Sequence, residues 1–239
     1  MNNILNSFDK IINNNLDINK INTEFNENAR VSIKNILNDE FSQHLYNYLK
    51  KLPNSSWHTA CVHSNIKYMK PNIEKYKNKN KEFINKANIS FSIDEFSYSL
   101  NRTMNNENSM NYTEFILRKT LNSKEFISLL NSCLGMELTK LNDLFISLYK
   151  PLNFLSPHCD VQNGIIAVTI SLTKDWKPQY GGNLCFLSED RTKIIDTIVP
   201  SFNSLYAFYI PTNTGIPHFV SHVAPGVIPK RFTITMWYS

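Results

Sequence analysis

Over residues 143–239 the chain is a succession of short runs in which apolar and polar side chains alternate, each cut off by Pro, Gly or Asn. Alternation with period two puts one face of a run in a core and the other in solvent, the pattern of a strand and not of a helix. The runs fall at 143–149, 165–172, 183–187, 193–198, 205–210, 218–223 and 232–238. Strands this short and this numerous, without helical stretches between them, fit an antiparallel barrel or jelly roll.

The preceding residues have a different texture. Residues 1–30 read as a polar helix with a partial apolar stripe of Ile4, Leu5, Phe8, Ile11 and Ile12, and Val31-Ser32-Ile33 as a short strand. Asn38-Asp39 can cap a helix in which Phe41, Leu45, Leu49 and Leu52 recur every three or four residues, until Pro53 ends it. A strand is predicted at 57–62, a helix around 73–83, a strand joining the main sheet at 91–100 and a polar loop at 105–111. Ser123 opens a further helix, with Phe126, Leu129, Leu130, Cys133 and Leu134 as its buried stripe and Gly135 as its stop. Helices first and strands second give an α+β fold, a double-stranded β-helix (jelly-roll) core with supporting N-terminal helices. We expect one domain over 1–239, with 1–142 a mainly helical buttress plus sheet extension and 143–239 the core.

Composition bounds the setting. The 42% hydrophobic and 12% aromatic fractions belong to a globular chain, and no apolar run is long enough to span a bilayer. The first residues lack a basic stretch followed by an apolar one, so no secretory signal is visible. Cys61, Cys133, Cys159 and Cys185 are scattered without a Cys-x-x-Cys pair, which fits reduced thiols in a cytoplasm. The net charge of +5 is uneven, because Lys67, Lys70, Lys75, Lys77, Lys79, Lys81 and Lys86 crowd together. Such a run is most often a solvated face; the functional alternative is a rim for an acidic or ribosome-associated partner. Direct nucleic-acid binding and membrane association are not expected.

Within the strand-rich half lies Ser156-Pro157-His158-Cys159-Asp160. On an extended strand, side chains two apart leave the same face, so His158 and Asp160 would supply two thirds of a facial metal site. Alone, His-x-Asp is a weak signal and most often a satisfied polar pair. A second histidine downstream, His218, changes its weight, because two His and one carboxylate with open positions are the ligand set of non-haem Fe(II) oxygenases. A cosubstrate with a carboxylate at each end would chelate the metal with one and need a buried cation for the other. Arg231, opening the last strand, has the planar fork that pairs bidentately with a carboxylate; the bland alternative is a solvated residue at a strand start.

The ordered set Tyr149, His158-Cys159-Asp160, Trp176, Gly181-Gly182-Asn183-Leu184, His218 to Pro225, Arg231 and Trp237 resembles the Fe(II)/2-oxoglutarate-dependent oxygenases. It is most similar to the prolyl 4-hydroxylase-like branch, which includes enzymes hydroxylating a prolyl residue of a ribosomal protein. The resemblance is strong over 143–239 and weaker at 33–52 and 96–102. It implies that His158, Asp160 and His218 hold the iron and that Arg231 binds the distal carboxylate of 2-oxoglutarate. Tyr149 corresponds to a tyrosine that helps hold that carboxylate, or is a core aromatic of the first barrel strand. Gly181-Gly182 corresponds to a family turn, and Trp176 and Trp237 to packing residues. Two choices turn on neighbours: His222 shares a strand face with His218 by alternation, and Lys230 adjoins Arg231. The spacings to Pro225 and to Trp237 favour His218 and Arg231.

The resemblance further implies Fe(II), 2-oxoglutarate and O₂ as cofactor and cosubstrates, with ascorbate as an accessory reductant. The reaction would couple decarboxylation to succinate with hydroxylation of an aliphatic C–H bond of a prolyl residue in a protein or peptide. Asp160 argues against halogenase chemistry, which needs the carboxylate position vacant. Two alternatives stand beside this reading: the same hydroxylation on a free amino acid or small natural-product precursor, and a non-catalytic jelly-roll binding or sensor module. The substrate pocket is expected between strand 91–100 and the loop around 101–112.

Overall fold

A computed structural model describes residues 11–104 and 111–239. Its helices are α1 Ile18–Asn28, α2 Asp39–Lys51, α3 Lys77–Ser92, α4 Tyr112–Leu121 and α5 Lys124–Leu134. Its strands are β1 Arg30–Lys34, β2 His58–His63, β3 Ile66–Pro71, β4 Tyr98–Arg102, β5 Leu141–Tyr149, β6 Phe154–His158, β7 Ile166–Ser171, β8 Leu184–Leu187, β9 Ile194–Ile198, β10 Ser204–Tyr209, β11 His218–Val220 and β12 Arg231–Tyr238.

All of these strands hydrogen-bond into one antiparallel sheet that curls on itself, in the order β1-β10-β7-β12-β5-β4-β6-β11-β8-β9, with β2 and then β3 branching from β4. From β5 onward the chain crosses between two faces of the curl. Strands β5, β7, β10 and β12 lie in the larger half, and β6, β8, β9 and β11 in the smaller. That alternation is the winding of a double-stranded β-helix, and with the flanking helices the fold is α+β.

Strand β12 shows how the sequence positions the site. It pairs with β5 on one side and β7 on the other, so it is an interior strand of the larger half. Phe232, Ile234, Met236 and Tyr238 leave one face and join a core with Phe41, Leu45, Leu117 and Phe126 of the helices. Arg231, Thr233, Thr235 and Trp237 leave the other and line the cavity inside the curl. A slip of one residue would exchange the two sets, which pins the register. Each fully buried side chain on the helix side contributes about 1.5–3 kcal/mol, and truncating Ile234 to Ala would cost about 2–5 kcal/mol.

The helix ends follow the sequence closely. The Asn38 side chain accepts from the Glu40 amide and Ser123 from the Phe126 amide, while Gly135 takes the left-handed conformation at φ 64°. Other expectations need correction. Among the described residues the helix expected over 1–30 spans Ile18–Asn28; Ile11 and Ile12 are buried but not helical, Ile11 in a turn and Ile12 bridged to Leu37, and Ile4, Leu5 and Phe8 lie outside the described residues. Residues 91–100 are not one strand: Phe91 and Ser92 finish α3, Asp94 turns left-handed, and only Tyr98 onward is extended. The turn is fixed by Glu95, whose amide donates to the Ser90 carbonyl and whose carboxylate accepts from the Ser90 and Ser64 hydroxyls. The lysine-rich stretch is split between β3 and α3, which begins at Lys77 and not at residue 73. Of the 105–111 loop, 105–110 lie outside the described residues, and Asn111 caps α4, a helix the sequence reading did not find. The run expected at 218–223 ends at Val220.

Candidate active site

His158 ends β6 and His218 opens β11, and the two are cross-strand partners. Asp160 is not on the strand as expected. It stands two residues past the end of β6, in a turn where its carbonyl accepts from the Asn163 amide and its Oδ1 from Asn163 Nδ2 at 2.9 Å. The turn still carries the carboxylate back to the imidazoles. His158 Nε2 lies 3.5 Å from Asp160 Oδ1, and His218 Nε2 lies 3.4 Å from Asp160 Oδ2. One donor atom from each of the three residues falls within 4.8 Å of the others.

The histidines are oriented by the backbone. His158 Nδ1 is 3.0 Å from the Ser156 carbonyl and His218 Nδ1 is 2.8 Å from the Ile216 carbonyl. A carbonyl can only accept, so each Nδ1 donates to it, and Nε2, the nitrogen facing Asp160, is the one left to bind a metal. Fixing the ring tautomer through the second nitrogen is how imidazole ligands are held for a metal. Burial pushes the Asp160 carboxyl up, but hydrogen bonds and charge from His158 and His218 outweigh it and hold it below the usual carboxylate range. The group is an anion, as a metal ligand must be.

At the other end of the same cavity sits Arg231, 5% exposed. It is the cross-strand partner of Tyr149, with its guanidinium 4.3 Å over the tyrosine ring. Its Nε and Nη1 find no hydrogen-bond partner among the described residues. Burial lowers its pKa, opposed by Tyr149, and burial raises that of the Tyr149 hydroxyl, which stays a protonated donor. Lys230 beside it is exposed, so only Arg231 faces inward.

The sequence reading missed two hydroxyls near this cation. Thr233 Oγ1 and Ser171 Oγ are buried without partners among the described residues, line the cavity and face one another across β12 and β7. Thr233 was within reach of the alternation rule, standing two residues after Arg231 on the same face; Ser171 becomes its neighbour only through sheet pairing. Trp237 packs as expected, 5.8 Å from the Phe145 ring, but it also lines the cavity and its indole N–H has no partner among the described residues, whereas Trp176 donates to the Gly181 carbonyl at 2.8 Å. Gly181 is structural: a Cβ there would lie 1.9 Å from the His222 carbonyl oxygen. His222 stands beyond β11, 3.1 Å from Asn88 through Nε2 and stacked 4.1 Å from the Phe154 ring, away from the three-residue cluster. Of the strand and loop expected to wall a substrate pocket, Leu100 lines this cavity, and Phe96 stands 6.0 Å from the His158 ring with 45% of its surface exposed.

A jelly roll with two imidazoles and a carboxylate converging at one end of its cavity defines a class of non-haem metalloenzyme. Residues 144–239 match the family model of the 2OG-Fe(II) oxygenase superfamily. Over those residues the chain is similar to the 2-oxoglutarate-dependent dioxygenases, a class that takes Fe(II), 2-oxoglutarate and O₂. Among solved structures, a prolyl-4-hydroxylase of Pseudomonas putida is similar at 14% identity, with 92% of this chain and 97% of that one covered and a TM-score of 0.60. An oxidoreductase of the 2OG-Fe(II) oxygenase family from Burkholderia pseudomallei gives 12% identity, 95% and 92% coverage and a TM-score of 0.60. A Trichoplax adhaerens prolyl hydroxylase, solved with a hypoxia inducible factor peptide, gives 17%, 92%, 88% and 0.58. At these identities the likeness is one of fold. No curated protein sequence matches the chain. Among the described residues no helix is long and apolar enough to cross a membrane.

Proposed function

We propose that His158, Asp160 and His218 hold the Fe(II), that Arg231 with Tyr149 anchors the distal carboxylate of 2-oxoglutarate, and that the enzyme hydroxylates a prolyl residue in a polypeptide. The observation that carries this reading is one cavity with three converging ligand atoms at one end and a buried guanidinium, two of its nitrogens unpartnered, at the other. That polarity suits a ligand with an oxygen chelate at one end and a carboxylate at the other. Thr233 and Ser171 offer further hydroxyls to the same carboxylate.

When bound, the iron and its cosubstrate supply the activation of O₂. The chain's residues do the rest. The Ser156 and Ile216 carbonyls hold a proton on each Nδ1, so that Nε2 is the nitrogen presented to the metal, and Asn163 fixes the carboxylate of Asp160. Arg231 sets the depth and direction of the cosubstrate through a charge-assisted fork. Ala167, Leu184, Phe208 and Val220 wall the space and keep water from it.

The peptide substrate is supported by the fold shared with two prolyl hydroxylases, one solved with a peptide bound. We place the protein in the cytoplasm, since its four cysteines are all free. We also take 1–239 as one oxygenase domain, 1–142 buttressing 143–239; one core joining helical Phe41, Leu117 and Phe126 to strand residues Ile146, Ile170 and Ile234 supports this. The test is incubation with Fe(II), 2-oxoglutarate and either proline-containing peptides or free L-proline. We expect succinate release and a +16 Da product with the peptides. Turnover confined to free amino acids would replace this reading by small-molecule hydroxylation.

A further inference from the structure

The net charge of this protein is not spread over it. Residues 66–86 carry seven lysines against two glutamates, a net +5, which equals that of the whole chain, so the remaining residues are neutral overall. All seven lysines are exposed, and among the described residues only Lys77 and Lys86 are ion-paired, with Glu74 and Glu82. The ridge that bears them is ordered. Tyr68 of β3 stacks on Phe83 of α3 with centroids 3.9 Å apart, and its hydroxyl donates to Asn80 Oδ1 at 2.6 Å. Lysine ammonium groups sit over the Tyr76 and Phe83 rings at the base of the ridge, and the ridge therefore presents a fixed array of charge.

The sheet places this array beside the mouth of the site. Lys67 pairs with Val62, Val62 with Tyr98, and Tyr98 with Leu155, three residues before His158. Three inter-strand steps of ~4.8 Å span roughly 14 Å, a distance that an extended chain covers in about four to five residues.

We propose that the β3–α3 ridge is a docking surface for an acidic stretch of the polypeptide substrate, lying about five or more residues from the hydroxylated position. The proposal rests on the reading of the substrate as a polypeptide. Two features favour an acidic peptide over nucleic acid. Every cation is lysine, a point charge without the fork that reads phosphates and base edges. Between the lysines stand Ile66, Met69 and Ile73, exposed at 52%, 40% and 39%, which suit a partner of mixed acidic and apolar side chains.

The test uses two synthetic peptides with the same central Pro, one carrying six Glu beyond a five-residue Gly-Ser spacer, the other six Ser. Wild-type enzyme and the variant K67E/K79E/K81E are compared at low and high salt. Fluorescence anisotropy reads binding, and succinate release reads turnover. We expect the acidic peptide to bind about tenfold tighter at low salt, with KM lowered and kcat unchanged. The advantage should vanish in the variant and fall at high salt, since exposed charges are screened within about 8 Å at physiological ionic strength. Turnover of 2-oxoglutarate without peptide and the melting temperature should be the same in both proteins, so misfolding cannot imitate the result. Equal binding of the two peptides, or an acidic advantage that survives in the variant, overturns the proposal. So does a single-stranded RNA of equal charge that binds the wild type more tightly than the acidic peptide does. If neither peptide is hydroxylated while the acidic one binds as expected, the prolyl reading fails and the docking surface stands.

Discussion

The two ends of the cavity solve the burial of polar atoms in opposite ways. At one end His158, Asp160 and His218 satisfy one another at 3.4–3.5 Å, and their outer atoms are bonded to the backbone and to Asn163. At the other, a guanidinium is 5% exposed and two of its nitrogens have no partner. A buried charge with no counterion is costly, so a fold keeps it only where a ligand completes it. The first end is therefore assembled before anything binds, whereas the second stays under-satisfied until a carboxylate arrives.

The largest effect should come from breaking the assembled end. His218→Ala or Asp160→Asn removes one of three ligands, and we expect loss of Fe(II) binding by equilibrium dialysis and of all succinate release. Full activity in either variant would place the metal elsewhere. At the other end, Arg231→Ala should raise the KM for 2-oxoglutarate by a hundredfold or more, since breaking a buried charge pair costs about 3–5 kcal/mol. Arg231→Lys should recover part of it, because a point charge lacks the fork. Iron binding without cosubstrate should be untouched in both, a separation that sharpens the contrast between the two ends.

A subtler outcome follows for stability. If the ligand-free protein bears the cost of an unpaired buried cation, Arg231→Met should leave it equally or more stable, by ~0–4 kcal/mol. With Fe(II) present under anaerobic conditions, 2-oxoglutarate at 100 times its wild-type Kd should stabilise the wild type by about 2.7 kcal/mol and the Met variant by no more than about 0.4 kcal/mol. A Met variant that melts well below the wild type in the absence of ligand would show that Arg231 is already paired. Thr233→Val is a smaller probe. Losing one hydrogen bond to the cosubstrate is worth about 0.5–1.5 kcal/mol, hence a rise of roughly twofold to thirteenfold in the KM for 2-oxoglutarate.

The contrast also explains what was legible in the sequence. Most strands of the curl announce themselves because one face lies in a core, and period-two alternation survives even where the structure shifts an end by a residue or two; β6, absent from the expected runs, and β9, which buries no residue, are the exceptions. Strand β3 was missed because it is an edge strand with Lys67 and Lys70 among exposed apolar residues, so its alternation carries no hydrophobic signal. The 91–100 run misled for the converse reason: Phe91 is apolar because it packs on Phe154 and His222, a tertiary demand that overrides local strand propensity. Convergence of His158, Asp160 and His218 was foreseen from spacing, but by the wrong geometry, since the turn after β6 and not the strand aims Asp160. The choice of Arg231 over Lys230 was legible in the even spacing to Trp237, and the register of β12 agrees with it, turning Arg231 inward against Tyr149. Ser171 has no local signature at all, being a neighbour of Thr233 only across two strands.

His222 supplies the smallest expected effect on the site and the clearest case of sequence ambiguity. Alternation put it on the face of His218, but β11 ends at Val220, and its register with β6 shifts between His218 and Val220. The ring instead packs against Phe154 and Phe91, at 4.1 and 4.5 Å between centroids. His222→Phe keeps an aromatic in that stack and should leave the iron affinity unchanged. The side chain still matters to stability, because burial lowers the His222 pKa. A histidine that is harder to protonate when folded binds fewer protons in the native state than in the unfolded one. The wild type therefore loses stability as pH falls through the unfolded value near 6.5, and none of that loss occurs well above it. In His222→Phe, urea midpoints measured from pH 7.5 to 5 should decline less than in the wild type, while iron binding at pH 7.5 is identical. A variant with weakened iron binding and an unchanged pH slope would mean that His222 belongs to the metal site and not to the aromatic stack.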